Sequence, residues 1–124
     1  MVPSVTRVLI VEPDREVRTL IEQTVQRLGH EAILHDAARG APTAEVDVLL
    51  VEPAAPRERA FAHALRQLVP ELATVICSVR GKDAELESLR PVRHVVKPFS
   101  RSELEQALHA AAGLTARARA GAGV

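Results

Sequence analysis

The sequence predicts a doubly wound α/β domain, in which helices cover both faces of a parallel β-sheet. Two short apolar runs, Val8–Val11 and Val48–Val51, are each followed by Glu-Pro. Uninterrupted apolar runs of this length are typical of strands that are buried on both faces of a parallel sheet. Strand-like runs alternate with amphipathic helical stretches along the rest of the chain. Right-handed crossovers arrange that alternation into one sheet between two helical layers.

Length and composition favour a single globular domain in the cytoplasm. The 124 residues carry sixteen basic and sixteen acidic side chains, and a net charge of zero gives no attraction to nucleic acid or to a membrane surface. The two Phe residues, with no Trp or Tyr, also argue against a base-stacking nucleic-acid module. No run is apolar enough for a membrane helix, and no signal peptide precedes the first strand. We therefore expect a cytoplasmic protein that binds neither nucleic acid nor membrane.

The first helix is predicted between two strands near the start of the chain. Arg7–Val11 predicts the first strand, and Asp14 is placed to cap the next helix because its carboxylate can accept from exposed backbone N–H groups. An apolar stripe at helical spacing follows, and Gly29 occupies the position of a helix C′ residue. His30–His35 predicts a short second strand near an edge of the sheet. The stripe consists of Val17, Leu20, Ile21, Val25 and Leu28.

The crossover between the second and third strands is short. Gly40 and Pro42 interrupt Ala37–Glu45 and leave room for little more than one helical turn. A crossover between parallel strands normally takes a dozen residues or more. We therefore expect a degenerate helix or an ordered loop there, followed directly by the third strand at Asp47–Glu52.

The second half of the chain predicts two further strands, each preceded by a helix. Pro56 suits a first helical position, and Pro70 ends that helix. Ala73–Val79 predicts the fourth strand and Val92–Val96 the fifth. A short helix is expected between them, over Asp83–Arg90.

A capping box opens the last predicted helix. In Ser100-Arg101-Ser102-Glu103, the Ser100 and Glu103 side chains can each satisfy the other's orphan backbone N–H group. Gly113 is expected to end this helix. We therefore predict one domain over residues 1–114, and a flexible tail or the start of a linker over 115–124.

Polar side chains follow four of the predicted strands. Glu12 and Asp14 come after the first strand, Glu52 ends the third, Ser78 ends the fourth, and Lys97 follows the fifth. Because the carboxyl ends of parallel strands meet at one edge of the sheet, these side chains are expected to lie close together. Lys97 is distinctive because only two of the sixteen basic residues are lysines. An ammonium group is a compact charge that suits an anion better than the fork of an arginine.

These motifs resemble the receiver domain of two-component response regulators over about residues 5–112. The matching segments are Val8–Glu12, Asp47–Pro53, Val75–Ser78 and Val95–Phe99, and the Lys-Pro-Phe motif at the end of the last is the most specific. The resemblance implies a flavodoxin-like fold with strand order 2-1-3-4-5, here with shortened second and fourth helices. It also implies a cis bond between Lys97 and Pro98.

The resemblance also assigns roles to individual residues. Ser78 and Lys97 match the positions that bind the phosphoryl group, and Glu52 stands at the position of the phosphoacceptor Asp. The acidic pocket is represented by Glu12 and Asp14. The switch position on the fifth strand, which is aromatic in the family, is held here by His94.

Two departures from the family pattern bear on the chemistry. The acidic pair is Glu12-Pro13, so the position that usually ligates Mg²⁺ has no ligand atoms. Glu52 places its carboxylate about one bond further out than Asp, and a misplacement of roughly 1 Å can cost on the order of 100-fold in rate. We therefore expect no catalytic residue, no metal or other cofactor, and weak or absent Mg²⁺ binding. Glu52 can instead pair with Lys97 or accept from Ser78, and so imitate a phosphoryl group with less charge.

The favoured hypothesis is a non-enzymatic pseudo-receiver that signals through protein–protein contact, independently of phosphorylation. Its expected partners are a histidine kinase, an output protein or a second copy of the chain. The resemblance implies that they bind through the face formed by the last two helices and the last strand (residues 83–112). A functioning Mg²⁺-dependent phosphoacceptor is the first alternative. The second is an unrelated flavodoxin-like enzyme that binds a metal or small molecule. His94 as an ordinary strand histidine and Cys77 as a core residue are the simpler interpretations of those two positions.

Overall fold

The structure is a computed structural model that describes residues 5–39, 45–79 and 84–122, with side chains up to Arg117. Its elements, in chain order, are β1 (Arg7–Val11), α1 (Arg15–Arg27), β2 (Glu31–Leu34), a 3₁₀ turn (Ala37–Arg39), β3 (Val48–Val51), α2 (Pro56–Leu68), β4 (Ala73–Ser78), α3 (Ala84–Glu87), β5 (Arg93–Val96) and α4 (Arg101–Ala122). The strands form one five-stranded sheet in the order β2-β1-β3-β4-β5, and every neighbouring pair is parallel. The predicted doubly wound, flavodoxin-like fold is confirmed.

The strand register aligns the ends of the central strands. Val11 pairs with Val51, so the residues that follow β1 and β3, Glu12 and Glu52, leave the sheet side by side. At the other side of the sheet, Ser78 pairs with Val96 and the chain continues into Lys97. The register thus carries the polar strand ends to a common edge, which is where ligands bind in open parallel sheets.

Each face of the sheet has its own apolar core. One core lies under α1 and α4, and the other lies under α2 and α3. Because strand side chains alternate between faces, successive residues of β1 and β3 enter different cores. The first core contains Val8, Ile10, Ile21, Val25, Val48, Leu50, Val75, Cys77, Val95, Leu104 and Leu108, and the second contains Leu9, Val11, Leu49, Val51, Phe61, Leu65, Ile76, Leu86 and Leu89.

The helix ends use the caps that the sequence predicts. The carboxylate of Asp14 accepts from Val17 N at 3.0 Å and caps α1. Gly29 follows α1 with φ +85°, a left-handed conformation that glycine adopts without steric cost. At α4, Glu103 N donates to Ser100 Oγ at 3.1 Å and Ser100 N donates to Glu103 Oε1 at 3.3 Å, which completes the capping box.

The last helix is longer than predicted. We expected Gly113 to end it and residue 115 to begin a tail, but α4 continues to Ala122. Ala and Arg, which dominate this stretch, are strong helix formers, and one interior Gly costs only about 1 kcal/mol relative to Ala. Thr115 also fixes the extension to the sheet, because its hydroxyl donates to Asp47 O at 3.2 Å. Whether residues 115–124 begin a linker stays a prediction.

The two shortened helices occur where the sequence predicts them. Between β2 and β3 the described chain forms one 3₁₀ turn, Ala37–Arg39, and between β4 and β5 it forms the single-turn helix α3. The helix predicted over Asp83–Arg90 is thus only Ala84–Glu87. The predicted loop residues Gly40 and Pro42 and the predicted helix start Asp83 lie outside the described residues. None of the helices in the described part of the chain has the length and apolar character needed to cross a membrane.

Candidate functional site

Lys97 joins two carboxylates at the carboxyl edge of the sheet. Its Nζ lies 2.6 Å from Glu12 Oε1 and 3.2 Å from Glu52 Oε2. The three residues come from the ends of β1, β3 and β5, which the chain separates by up to 85 positions. We call Glu12, Glu52 and Lys97 the strand-end cluster.

The strand-end cluster is buried. The side chain of Glu12 is 0% exposed, that of Glu52 is 8% exposed and that of Lys97 is 15% exposed. Burial removes most of the water that would otherwise screen these charges, so their mutual interactions are much stronger than in an exposed ion pair.

Backbone contacts fix where each side chain of the cluster begins. Glu52 N donates to Val11 O at 3.1 Å, which continues the β1–β3 pairing by one residue. Lys97 N donates to Ser78 O at 2.9 Å and extends the β4–β5 pairing in the same way. The peptide bond between Lys97 and Pro98 is cis, as the resemblance implies.

The cluster carries more acid than base. Two carboxylates and one ammonium give it a formal charge of −1. Glu52 Oε1 accepts from Ala54 N at 3.0 Å. Glu12 Oε2 and Glu52 Oε2 are buried and accept no hydrogen bond within the described structure, although the latter lies close to the ammonium. Unsatisfied buried oxygens are costly, so a proton or a cation that reached them would be favoured.

The pKa values of Glu12 and Lys97 reflect this burial. Burial raises the pKa of the Glu12 carboxyl; the hydrogen bond and charge of Lys97 oppose the rise, while the negative charges of Glu52 and Asp14 add to it. For Lys97, burial lowers the pKa, but the hydrogen bond that it donates to Glu12 and the charges of both glutamates outweigh this effect, and the pKa is raised. The ammonium is thus held firmly, and Glu12 is the carboxyl that takes up a proton more readily than usual.

The two residues after Glu12 contribute little to the strand-end cluster. Pro13 has no side-chain ligand atom, and the Asp14 carboxylate is bound to Val17 N as a helix cap. Among the described residues there is no group of three or more Asp, Glu, His or Cys arranged to hold a metal ion. Mg²⁺ in proteins is held by carboxylate, carbonyl and water oxygens, and the two glutamates already share the Lys97 ammonium.

Three further positions singled out from the sequence lie on β4 and β5. Ser78 is fully buried at the end of β4 and adjoins Lys97 through the backbone. His94 is half-buried on β5, where it pairs with Ile76. Cys77 is a buried free thiol whose pKa is raised by burial to about 12, as expected for a core residue with little nucleophilic character.

Two features of the strand-end cluster were not predicted from the sequence. The shorter contact of Lys97 is to Glu12, not to Glu52, and side-chain rotamers decide that choice. Arg18 of α1 reaches back to the same strand end, where its Nη1 donates to Glu12 O at 3.3 Å. The spacing of Arg18 from Glu12 does not distinguish it from the other arginines of α1.

Comparisons with known proteins identify the fold. A scan against protein-family models and a search of curated protein sequences both find no match. Among solved structures, a response regulator receiver domain protein from Methanospirillum hungatei JF-1 matches with a TM-score of 0.76 at 15% identity, over 92% of this chain and 99% of that chain. Chemotaxis protein CheY4 from Vibrio cholerae matches with a TM-score of 0.75 at 21% identity, over 86% and 98% of the two chains.

A third solved structure is the response regulator TrrA from Thermotoga maritima, in complex with Mg²⁺ and BeF. It matches with a TM-score of 0.73 at 18% identity, over 86% of this chain and 99% of that chain. At such identities the likeness establishes a shared fold. The chain therefore has the fold of CheY-like receiver domains across nearly its whole described length.

Proposed function

We propose that the chain is a receiver-like signalling domain of the two-component type that acts through protein–protein contact and without phosphorylation. The observation that carries the proposal is the pairing of Lys97 with Glu12 and Glu52. In a phosphorylated receiver-type site, a lysine at this position would bind oxygens of the phosphoryl group. Here the same ammonium is neutralised by side chains of the protein itself.

Glu52 supports the proposal by its position and its contacts. Its two carboxylate oxygens lie against Ala54 N and Lys97 Nζ, so the side chain bridges the third strand end and the lysine. A phosphoryl group on a shorter side chain would make the same bridge, with about two negative charges where Glu52 supplies one. Glu52 thus acts as a permanent, weaker substitute for a phosphorylated residue.

The donor set argues against a functional Mg²⁺ site. Phosphoryl transfer to a carboxylate relies on a divalent cation to offset charge on the phosphoryl oxygens. Pro13 supplies no ligand, Asp14 caps α1, and Glu12 is hydrogen-bonded to Lys97. Mg²⁺ would have to displace an ammonium 2.6 Å from Glu12 Oε1, so we propose weak or absent binding and no catalysis.

The proposed contact face consists of α3, β5 and the first half of α4. β5 is an edge strand of the sheet, and Val96, at the start of the turn into Lys97, is 44% exposed. The strand-end cluster is connected to this face through Lys97, which directly follows β5. The proposed partners are a histidine kinase, an output protein or a second copy of the chain.

One observation favours a second candidate, a functioning Mg²⁺-dependent phosphoacceptor. Glu12 Oε2 and Glu52 Oε2 are buried oxygens without a hydrogen bond among the described residues. A cation between them would satisfy both. Under this alternative, Lys97 would release Glu12 when Mg²⁺ and a phosphoryl donor bind.

An NMR titration with Mg²⁺, with and without beryllofluoride, separates the two candidates. The Thermotoga protein, which has been solved with Mg²⁺ and BeF, serves as the positive control under the same conditions. If the proposal is right, amide resonances of Glu52, Ser78 and Lys97 stay in place at millimolar Mg²⁺ with beryllofluoride. Saturable shifts at those residues would establish the phosphoacceptor instead.

A two-hybrid screen against the histidine kinases and output proteins of the same genome tests the signalling role. Glu52→Gln keeps the size of the side chain and removes its charge. A partner that recognises Glu52 as a substitute for a phosphoryl group should therefore no longer bind. Val96→Asp should disrupt the same pair by charging the proposed face. An interaction that survives both changes would contradict the proposed mechanism, and Glu71→Gln, at an exposed position, is the control.

A further inference from the structure

Two adjoining cavities lie beside α2, one on the face of the sheet that α2 covers and one at the carboxyl edge, where Arg18 of α1 also lines it. The first is an apolar cavity of about 340 Å³ lined by Ala60, Phe61, Ala64, Leu65 and Leu68. The second is a polar cavity of about 520 Å³ at the ends of β1 and β2. The two share Ala37 and Arg57 in their linings. We call the combined feature the α2 groove.

The α2 groove lies beside the crossover between β2 and β3, of which the described residues include the turn Ala37–Arg39. The side of α2 that lines the groove carries exposed apolar side chains: Ala60, Ala64 and Leu68 recur every four residues, and Leu68 is 69% exposed.

The apolar part of the α2 groove has the shape of a helix-packing surface. Residues at a spacing of four form the ridges that interdigitate when two helices pack. Two of the three ridge residues are alanines, which allow a second helix to approach closely. Phe61 and Leu65 form a buried floor beneath them. A helix of about three turns would cover the 13 residues of α2.

Two cations flank this apolar surface. Arg39 and Arg57 are exposed, and neither guanidinium forms a hydrogen bond or ion pair with another described residue. The acidic residues of the same lining are less available: Glu12 is buried against Lys97, and Asp36 caps the 3₁₀ turn by accepting from Ala38 N at 2.9 Å. Glu58, the remaining acid, has a buried carboxylate oxygen.

We propose that the α2 groove binds an acidic amphipathic helix of a partner protein. The apolar face of that helix packs on Ala60, Ala64 and Leu68, and acidic residues along its edge pair with Arg39 and Arg57. This is the helix-in-groove mode of recognition, in which apolar anchors supply affinity and the charged edge supplies orientation and selectivity.

The charge of the groove argues against a second copy of the chain as its occupant. Two copies of α2 packed in parallel would bring their Arg57 side chains together, which is a like-charge contact. The far part of α4 is also an unsuitable occupant, because its described side chains include Arg117 and no acid after Glu105. The apolar part of the groove includes no residue of the strand-end cluster, so the inference stands whether or not Glu52 accepts a phosphoryl group.

The test is an NMR titration of the ¹⁵N-labelled protein with two synthetic amphipathic peptides, each about five helical turns long. Both carry leucines at i, i+3, i+4 and i+7; one has glutamates along the edge of the apolar face, and the other has lysines. We expect saturable shifts from α2 and the Ala37–Arg39 turn with the acidic peptide. The lysine peptide should bind at least about tenfold more weakly.

Two variants and one control localise the binding. Ala64→Glu places a charge on the apolar ridge and should weaken the acidic peptide at least about tenfold, whereas Arg57→Glu should favour the lysine peptide over the acidic one. Gln106→Glu adds the same charge on exposed α4 and should change neither affinity. Equal binding of both peptides, no binding, or affinities unchanged by both variants would overturn the proposal. So would self-association in sedimentation that Ala64→Glu abolishes, because a second copy would then fill the groove.

Discussion

The ammonium of Lys97 donates a 2.6 Å hydrogen bond to Oε1 of Glu12, and this contact links the last strand end to the first. The contact of Lys97 with Glu52 is longer, at 3.2 Å. Glu12 is therefore the closer of the two buried carboxylates that share the Lys97 ammonium. The ion pair thus neutralises the ammonium within the protein itself.

Removal of the ammonium should destabilise the protein strongly. Lys97→Met leaves two buried carboxylates without their counter-charge, and breaking a buried ion pair from one side typically costs about 3–5 kcal/mol. Urea denaturation at pH 7 measures the change in free energy of unfolding. Arg101→Met, at an exposed cation of α4, is the control and should change stability by no more than about 0.5 kcal/mol. A Lys97→Met protein as stable as this control would contradict the buried pairing.

The raised pKa of Glu12 predicts a specific pH dependence of stability. A group that binds its proton more tightly in the folded state contributes stability at low pH, and this contribution is lost as pH rises from about 4.5, its ordinary pKa, through the folded value. Glu12→Gln removes the contribution. The free energy of unfolding of the variant, minus that of the natural chain, should therefore rise with pH above about 4.5. Glu71→Gln, at an exposed position, should change the free energy of unfolding by the same amount at every pH. If the difference were independent of pH for Glu12→Gln as well, the raised pKa of Glu12 would be refuted.

Restoration of the missing acidic groups should create phosphoacceptor chemistry. Pro13 is exposed and directly follows Glu12, which the β1–β3 register sets beside Glu52. Pro13→Asp adds a possible Mg²⁺ ligand, and Glu52→Asp retracts the carboxylate by about one bond, which matters because roughly 1 Å of misplacement can cost on the order of 100-fold in rate. We expect the double variant to show saturable Mg²⁺-dependent shifts with beryllofluoride. Pro13→Asn with Glu52→Asp is the matched control, and equal responses from both pairs would show that the added carboxylate is irrelevant.

Two glycine substitutions should have opposite effects on stability. Gly29 has φ +85° and open space around it, so Gly29→Ala should cost about 1–2 kcal/mol through backbone strain alone. Gly113 lies inside α4, and an added Cβ would meet only Arg117 Nη1 at 3.7 Å, an ordinary contact. Gly113→Ala should therefore stabilise the protein by roughly 0.5–1 kcal/mol. Thermal unfolding measures both, and a destabilising Gly113→Ala would mean that α4 ends at Gly113 after all.

The sequence predicts the fold well because two strong patterns agree. Apolar runs give the buried strands, and the polar residue after each run marks its carboxyl end. Since parallel strands end at one edge, the proximity of Glu12, Glu52 and Lys97 follows from topology alone. Topology does not predict which glutamate lies closer to Lys97. That depends on side-chain rotamers, which the local sequence pattern does not determine.

Two features that the sequence analysis predicted wrongly or missed, the end of α4 and the α2 groove, also have physical reasons. Gly113 can serve either as a C′ residue or as an interior helical residue, and the contact of Thr115 with Asp47, distant in the sequence, is one of the features that favour the second. The α2 groove was not predicted, because its arginines Arg39 and Arg57 come from separate segments. Arg39 and Arg57 line one groove only once the sheet is assembled.

The helices on the two faces of the sheet differ in length, and this difference predicts which face opens first by local unfolding. α1 and α4, of 13 and 22 residues, cover one face, whereas α2 and α3, of 13 and 4 residues, cover the other. Regions with little covering structure open at low free energy, while amides of fully buried central strands exchange only when the whole domain unfolds. Hydrogen exchange should therefore be fast at α3 and slow at Ile10 and Leu50, both 0% exposed. The face covered by α2 and α3 should therefore open at lower free energy than the face covered by α1 and α4. A partner that rearranged α3 would leave the packing of α1 and α4 on the sheet intact.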